Sequence, residues 1–352
     1  MRFTFLIVLY TIFTATISGN DARLNPSDTV IANGQMPQLA TDHANNIHMV
    51  YGRGDSILYI SSANRGATFS PPELVAVLPG LFAHSMRGPQ VAASANGVTI
   101  TANTQYGNIY SFHKEAGGKW SKAVQVNKED STSREALMGL SADGTNTYAV
   151  WLGAKKPQGQ NVYGSRSADG GKTLSKNVLV YASPDHTVCE CCKPSVVVQD
   201  NQVYVMFRNW LQGNRDMYVI RSADAGKTFG QLQKLGTGNW KLNGCPMDGG
   251  GLAVDKNGTV ETVWRREGKM YACQPDTPEK EIGGGRGCTV EIFRAKPVYA
   301  WIEKGEVVLA DQQGKRKVLG KGSLPLVRSL DNEQLICVWE NENQIHASVT
   351  KL

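Results

Sequence analysis

The chain has 352 residues, 41% hydrophobic and 19% charged, which is enough apolar content for a large packed core and too much for a disordered chain. Lysine plus arginine (37) exceeds aspartate plus glutamate (31) by six, and the basic residues are scattered, so nothing reads as a nucleic-acid-binding arm or finger. The length suits two or three small domains or one closed β architecture.

In chain order, Met1-Arg2-Phe3 leads into an apolar run from Phe5 to Ile17, followed by small residues at Ser18 and Gly19. A charged start, an apolar stretch too short for a bilayer and a small-residue exit predict a signal peptide over residues 1–19. No cysteine follows the run, which argues against a lipid anchor, and no later segment reads as a transmembrane helix. The expectation is an exported protein, periplasmic or secreted, with residues 20–352 as one domain.

An eight-residue pattern then recurs. It begins as Ser62-Ala63-Asn64-Arg65-Gly66-Ala67-Thr68-Phe69 and returns as Ser167-Ala168-Asp169-Gly170-Gly171-Lys172-Thr173-Leu174 and Ser222-Ala223-Asp224-Ala225-Gly226-Lys227-Thr228-Phe229. A decayed copy from His113 to Trp120 keeps Glu115, Gly117 and the aromatic. The acid or amide accepts backbone N–H bonds, glycine permits a left-handed backbone and the terminal apolar residue packs inward, so each copy predicts a tight hairpin. Strands ending in an apolar residue and an aromatic occur at Val50-Tyr51, Val150-Trp151, Met206-Phe207, Val263-Trp264, Ala300-Trp301 and Val338-Trp339. Turns such as Asn96-Gly97, Asp143-Gly144 and Asn257-Gly258 precede several of them, and no helical period competes.

These hairpins resemble the Asp-box (BNR) repeats of the sialidase-like β-propellers over nearly the whole mature chain. The resemblance implies an all-β fold, a single propeller of four-stranded antiparallel blades. Blade starts at Pro37, Pro89, Leu137, Pro194, Met247, Cys288 and Pro325 favour seven blades, with Asp28–Ala32 closing the ring against the last one. The six-bladed alternative treats Gly283–Lys321 as an elaboration of the fifth.

In such a blade the hairpins after the first and third strands share one face, and the other loops and the blade connections share the opposite one. The Ser-x-Asp hairpins therefore fall on the face away from a ligand and serve as turn stabilisers. The opposite face collects His84, Arg87, Arg134, His186, Trp240, Lys241 and Asp248 from connections. It takes Tyr106, Lys155, Lys156, Arg208, Asn209, Trp210, Arg215, Asp216, Arg265 and Arg266 from loops between second and third strands. Guanidinium groups beside aromatics suit a carboxylate-bearing ligand such as an acidic carbohydrate, whereas surface ion pairing is their bland alternative.

Cys189-Glu190-Cys191-Cys192 and Cys245 lie on neighbouring connections. In an exported protein the first reading is a disulfide from Cys192, or Cys191, to Cys245, with no cofactor. The alternatives are a copper or zinc site of Cys189, Cys191, Cys192 and Cys245 with His186 or Glu190, and a reactive free thiol. Cys273 and Cys288 flank a Gly-rich segment, Gly283-Gly284-Gly285, and are expected to form a second disulfide at the base of a polar loop. Cys337 reads as a buried thiol on the side of Trp339.

Sialidases of the resembled family hold the substrate carboxylate with three arginines and use a Tyr–Glu nucleophile pair and an Asp acid/base. The place of their first arginine is Gln35-Met36-Pro37 here, and Arg87-Gly88-Pro89 is the nearest approximation, with Arg208 and Arg265 as further members. No Tyr–Glu pair carries over; Tyr106, Asp216 and Asp248 are the catalytic candidates. Cys-Glu-Cys-Cys, the Arg208–Asp216 run and Asn243-Gly244-Cys245-Pro246 resemble a bacterial exported subgroup of these propellers. The implied function is binding of, or exo-sialidase-like glycoside hydrolase action on, acidic glycans. A metal or redox protein built on the cysteines and a non-catalytic interaction scaffold are the competing classes.

Overall fold

The computed structural model describes residues 28–128, 133–154 and 159–352; the expected signal peptide and the loop residues Lys155 and Lys156 lie outside them. The chain forms seven four-stranded antiparallel sheets arranged as a propeller. Six are consecutive in sequence. The seventh takes Thr29–Asn33 as its outer strand, paired antiparallel with the final strand Gln344–Thr350, so the ring closes through both ends of the described chain. Among the described residues no helix is long and apolar enough to cross a membrane.

The inner strands, in blade order, are Gln35–Thr41, Gln90–Ser94, Met138–Asp143, Ser195–Gln199, Gly250–Val254, Arg286–Phe293 and Ser323–Ser329. They pack on their neighbours around the axis. Second strands are sandwiched between adjacent blades and bury both faces, as in Asn146–Ala154 of blade 3, which explains their continuous apolar runs. Their terminal aromatics Tyr51, Trp151, Phe207, Trp264, Trp301 and Trp339 are all buried. Outer strands are short and partly exposed, two residues each in blades 2 and 4, which blunts the sheet edges.

The three Ser-x-Asn/Asp hairpins all join third to outer strands. In blade 4, Asp224 accepts bonds from the Thr228 N–H (2.9 Å) and Oγ1 (2.7 Å), while Ser222 Oγ accepts from Gly226 N–H (2.8 Å). Blade 3 repeats this through Asp169, Thr173, Ser167 and Gly171. Each hairpin also leans on the preceding blade: Gly226 lies on the Tyr148 ring, Gly171 on Thr99, and Gly66 on Val349 and Ile336. A side chain at Gly226, whose φ is +81°, would enter that ring, so the recurring pattern serves inter-blade packing as well as turn chemistry.

Two expectations about cysteines are corrected. Cys273 and Cys288 are free thiols and form no disulfide. Cys273 packs in the core between blades 4 and 5, with Met206, Leu252 and Trp264, whereas Cys288 packs against the core between blades 5 and 6, with Val263, Val290 and Trp301, so the blade 5 sheet separates them. The segment between them is not a loop: Lys280–Gly284 is the outer strand of blade 5, and Gly283 is small because it lies against Trp301 of blade 6. The other correction is that Cys245 pairs with Cys191 rather than Cys192. Cys337 is a fully buried free thiol, its pKa pushed up to about 12 by burial.

Candidate functional site: the axial cavity and its sulfur-lined rim

Three inner strands begin with a bulge, seen as register shifts between Gln35 and Gln38, Arg286 and Thr289, and Ser323 and Leu326. The bulges place Met36 (φ +55°), Gly287 (φ +62°) and Leu324 (φ +55°) around the mouth of an axial cavity, joined by Met86 (φ +69°) from a blade connection. Three of these are left-handed non-glycine residues, a conformation that costs roughly 1 kcal/mol or more each. The cavity is about 910 Å³ counted out to its open mouth.

Its polar lining comes from Gln38, Gln90, Lys193, Asp248, Cys288 and Arg328. Lys193 sits between Cys192 and the blade-opening Pro194, its Nζ 3.4 Å from Gln38 Oε1. Among the described residues it has no carboxylate partner. Burial, reinforced by the positive charge of Arg328, brings its pKa down to about 8. Arg328 donates to Val327 O (2.8 Å) and lies 3.5 Å from Glu291 Oε2. Burial raises Asp248 to about 6 against the pull of Arg208, the Gly287 N–H and Arg265. Its two oxygens each accept from Gly287 N–H at 3.3 Å, and Arg265 Nη1 is 4.0 Å away.

Beside the cavity, the connections before blades 4 and 5 and the loop Asn209–Asp216 interlock. Cys189 N–H donates to Arg208 O, Arg215 N–H to Trp240 O and Trp240 N–H to Asp216 Oδ1. Asp216 is further held by Lys234 Nζ at 3.0 Å. The sulfurs of Cys189, Cys191 and Cys192 are buried and lie within 4.8 Å of one another. Cys189 Sγ is 3.4 Å from Cys192 Sγ, 3.8 Å from Cys191 Sγ and 3.1 Å from Arg215 Nη1. The hydrogen bond with Cys192 and the charges of Arg215 and Arg208, opposing burial, lower the Cys189 pKa; Cys192 is raised by burial. Cys191 is tied to the exposed Cys245, so a disulfide staples the two connections as expected.

The arginines expected to meet a ligand are largely engaged within the protein. Arg208 is 1% exposed and donates to Arg215 O (2.7 Å) and Arg265 O (2.9 Å), with its guanidinium 5.1 Å from the Trp240 ring centroid. Arg215 donates to Leu242 O and stacks on Trp210 at 4.6 Å. Arg87 is spent on Glu135, through O and Oε2, and on Ser85 O. Arg265 reaches Pro246 O at 3.4 Å, while the Nε atoms of Arg208 and Arg265 are buried without a partner. Asn209 is buried and donates to Tyr181 Oη. Arg134 is exposed, Tyr106 is 64% exposed on the blade 2 loop, and His186 is exposed outside the sulfur cluster. Sequence reasoning missed Lys193, Gln38, Gln90 and Arg328; the place of Lys193 just before a blade-opening proline was the available signal.

No protein-family model matches the chain, and no curated protein matches it. Among solved structures the fold is similar to the BP39L lectin from Burkholderia pseudomallei, with a TM-score of 0.64 and 9% identity over 92% of this chain and 97% of that one. It is also similar to an ulvan lyase, a polysaccharide lyase bound to -[GlcA(1-4)Rha3S]-, with a TM-score of 0.58 and 11% identity over 92% and 94% of the two chains. A third is the α-L-arabinofuranosidase Arb93A from Fusarium graminearum, with a TM-score of 0.54 and 10% identity over 93% and 98%. Likeness at these identities establishes the propeller fold.

Proposed function

We propose that the axial cavity binds an anionic carbohydrate, a uronic or sialic acid, in a protein exported from the cytoplasm. The observation that carries this reading is Lys193, an ammonium group lining the cavity with no carboxylate partner among the described residues. An unpaired cation held away from bulk water is costly to the fold, and a ligand carboxylate is the natural partner that offsets the cost. Arg328 at the same cavity adds a second positive group. The half-exposed Trp210 and exposed Tyr106 on the mouth-side loops offer rings on which a sugar stacks. The naming of similar propellers for a lectin, a polysaccharide lyase and an arabinofuranosidase fits this ligand class.

Binding is favoured over sialidase-type hydrolysis. Sialidase-type hydrolysis needs a Tyr–Glu nucleophile pair beside an Asp acid/base, and among the described residues lining the cavity there is Asp248 but no tyrosine and no glutamate. Asp216, the other candidate acid, is committed to Trp240 and Lys234. Asp248, with its raised pKa, remains the group best suited to donate a proton should a substrate present a second reacting partner. A thermal-shift panel of glucuronate, N-acetylneuraminate, glucose and N-acetylglucosamine tests the reading. Stabilisation by the acids alone is expected; stabilisation by none, or equally by neutral sugars, refutes it.

A further inference from the structure

The structure assigns to the rim of the propeller a metal site made of Cys189, Cys191, Cys192 and Cys245 that takes a thiophilic divalent cation of the zinc class once the Cys191–Cys245 disulfide is reduced. The site is independent of the sugar-binding reading and lies beside the cavity.

Geometry is the first support. Zinc holds sulfur at about 2.3 Å, which puts the sulfurs of a tetrahedral site roughly 3.8 Å apart. Cys189 Sγ lies 3.8 Å from Cys191 Sγ and 3.4 Å from Cys192 Sγ, and all three sulfurs are within 4.8 Å of one another. The fourth sulfur, on Cys245, is bonded to Cys191 but lies outside that three-sulfur group, so it closes on the ion only once reduction frees it from Cys191. Cys245 is exposed, whereas the other three are buried, so it is the point of entry for both a reductant and the ion.

Charge is the second and independent support. Four guanidinium or ammonium groups surround the cluster and its rim. Lys234 is matched by Asp216 and Arg265 by Asp248. Arg208 and Arg215, 1% and 9% exposed, have no carboxylate within 4 Å among the described residues, and Arg208 Nε has no hydrogen-bond partner at all. What Arg215 does meet is sulfur, through Nη1 at 3.1 Å from Cys189 Sγ. Two buried guanidinium charges are strongly unfavourable unless an anion answers them. A divalent ion with four thiolates carries a net charge of −2, which balances the pair. Free thiolates at these spacings would repel one another, and neutral thiols would leave Arg215 without an anion and Arg208 with only Asp248, which it shares with Arg265; a bound cation resolves both. The hydrogen bond from Arg215 is then the outer-shell contact that orients a ligating sulfur.

The redox step is balanced by a dithiol reductant. It delivers two electrons and two protons to Cys191 and Cys245 and leaves as its own disulfide; metal binding then displaces the protons from all four thiols. The oxidised protein retains two adjacent thiols, Cys189 and Cys192, one pair short of the full set.

The test titrates the full chain with Zn²⁺ against a chromogenic chelator, as isolated and after reduction by a phosphine, with Co²⁺ as a spectroscopic substitute. One equivalent of Zn²⁺ taken up by the reduced protein only, with intense thiolate-to-cobalt charge-transfer absorption, is expected. Cys245→Ser, at an exposed position, should abolish the dependence on reduction and weaken uptake. Arg215→Gln should weaken uptake by roughly 10- to 100-fold, as loss of an outer-shell contact does. Cys337→Ser, in a distant buried strand, should change nothing, which separates ligation from general damage to the fold. No uptake by the reduced protein, equal uptake by both forms, or uptake of Cu⁺ but not Zn²⁺ would overturn the assignment.

Discussion

Substituting Glu279 by glutamine examines how the rim is held in place. Glu279 lies between the third and outer strands of blade 5, and its side chain is 7% exposed. Its carboxylate accepts from the N–H groups of Thr237 (2.6 Å) and Gly238 (3.0 Å), from Thr237 Oγ1 (3.1 Å) and from Arg266 Nη1 (2.7 Å). It therefore pins the start of the long connection that carries Trp240 and Cys245 to the rim. Burial raises its pKa, but these bonds outweigh burial and bring it from 4.5 to about 2. Because the folded-state value is depressed, the stabilisation is present above the unfolded value near 4.5 and is lost as pH falls toward 2. The shift corresponds to roughly 3 kcal/mol, and solvent screening at the open Thr237 side reduces the expected contribution to about 2 kcal/mol. Urea denaturation of the parent and Glu279→Gln proteins at pH 7, 5, 4 and 3 measures it. A gap of about 2 kcal/mol at pH 7 that narrows steadily below pH 4.5 is expected. A gap unchanged between pH 7 and pH 3, or none at pH 7, refutes the reasoning.

Other outcomes follow from the hairpins and thiols. Asp169→Ala strips three accepted hydrogen bonds from the blade 3 hairpin and is expected to cost about 1–2 kcal/mol in chemical denaturation; an unchanged midpoint would remove its turn-stabilising role. Gly226→Ala drives a methyl group into the Tyr148 ring on top of a strained φ, whereas Gly213→Ala, at φ +77° with open space around it, bears only the backbone cost of about 1–2 kcal/mol. The first should lower the melting temperature well beyond the second, and equal losses would contradict the inter-blade packing described here. Peptide mapping of the oxidised protein should recover Cys191 cross-linked to Cys245, with Cys273 and Cys337 alkylated only after unfolding. A Cys273–Cys288 cross-link would contradict the structure.

Much of the frame was legible because it rests on local chemistry. Ser167, Asp169, Gly171 and Thr173 make a hairpin from hydrogen bonds within seven residues, and such a signal survives in a bare sequence. The apolar run through Trp151 reads as a strand buried on both faces for the same reason, and the spacing of these units yields seven blades. Ring closure by Thr29–Asn33 could be read because the last blade visibly lacks one strand. What the sequence hides is which side of a sheet a residue packs on and what its side chain finds there. Cys273 and Cys288 flank one short segment yet pack into the cores on either side of the blade 5 sheet. Arg87, Arg208 and Arg215 look like ligand-binding groups but spend most of their donors on backbone carbonyls and internal partners supplied by distant segments. Lys193 stands out only once the inner strands converge and leave its ammonium group without an opposite charge.

The central claim is that Lys193 answers the acidic group of a sugar in the axial cavity, and calorimetric titration of the parent and Lys193→Met proteins with glucuronate and with glucose tests it most directly. The account predicts saturable binding of glucuronate and none of glucose, with affinity for the acid falling roughly 10- to 100-fold in the variant, as loss of a charge-assisted hydrogen bond does. Glucuronate binding equally well to both proteins, or to neither, would contradict it.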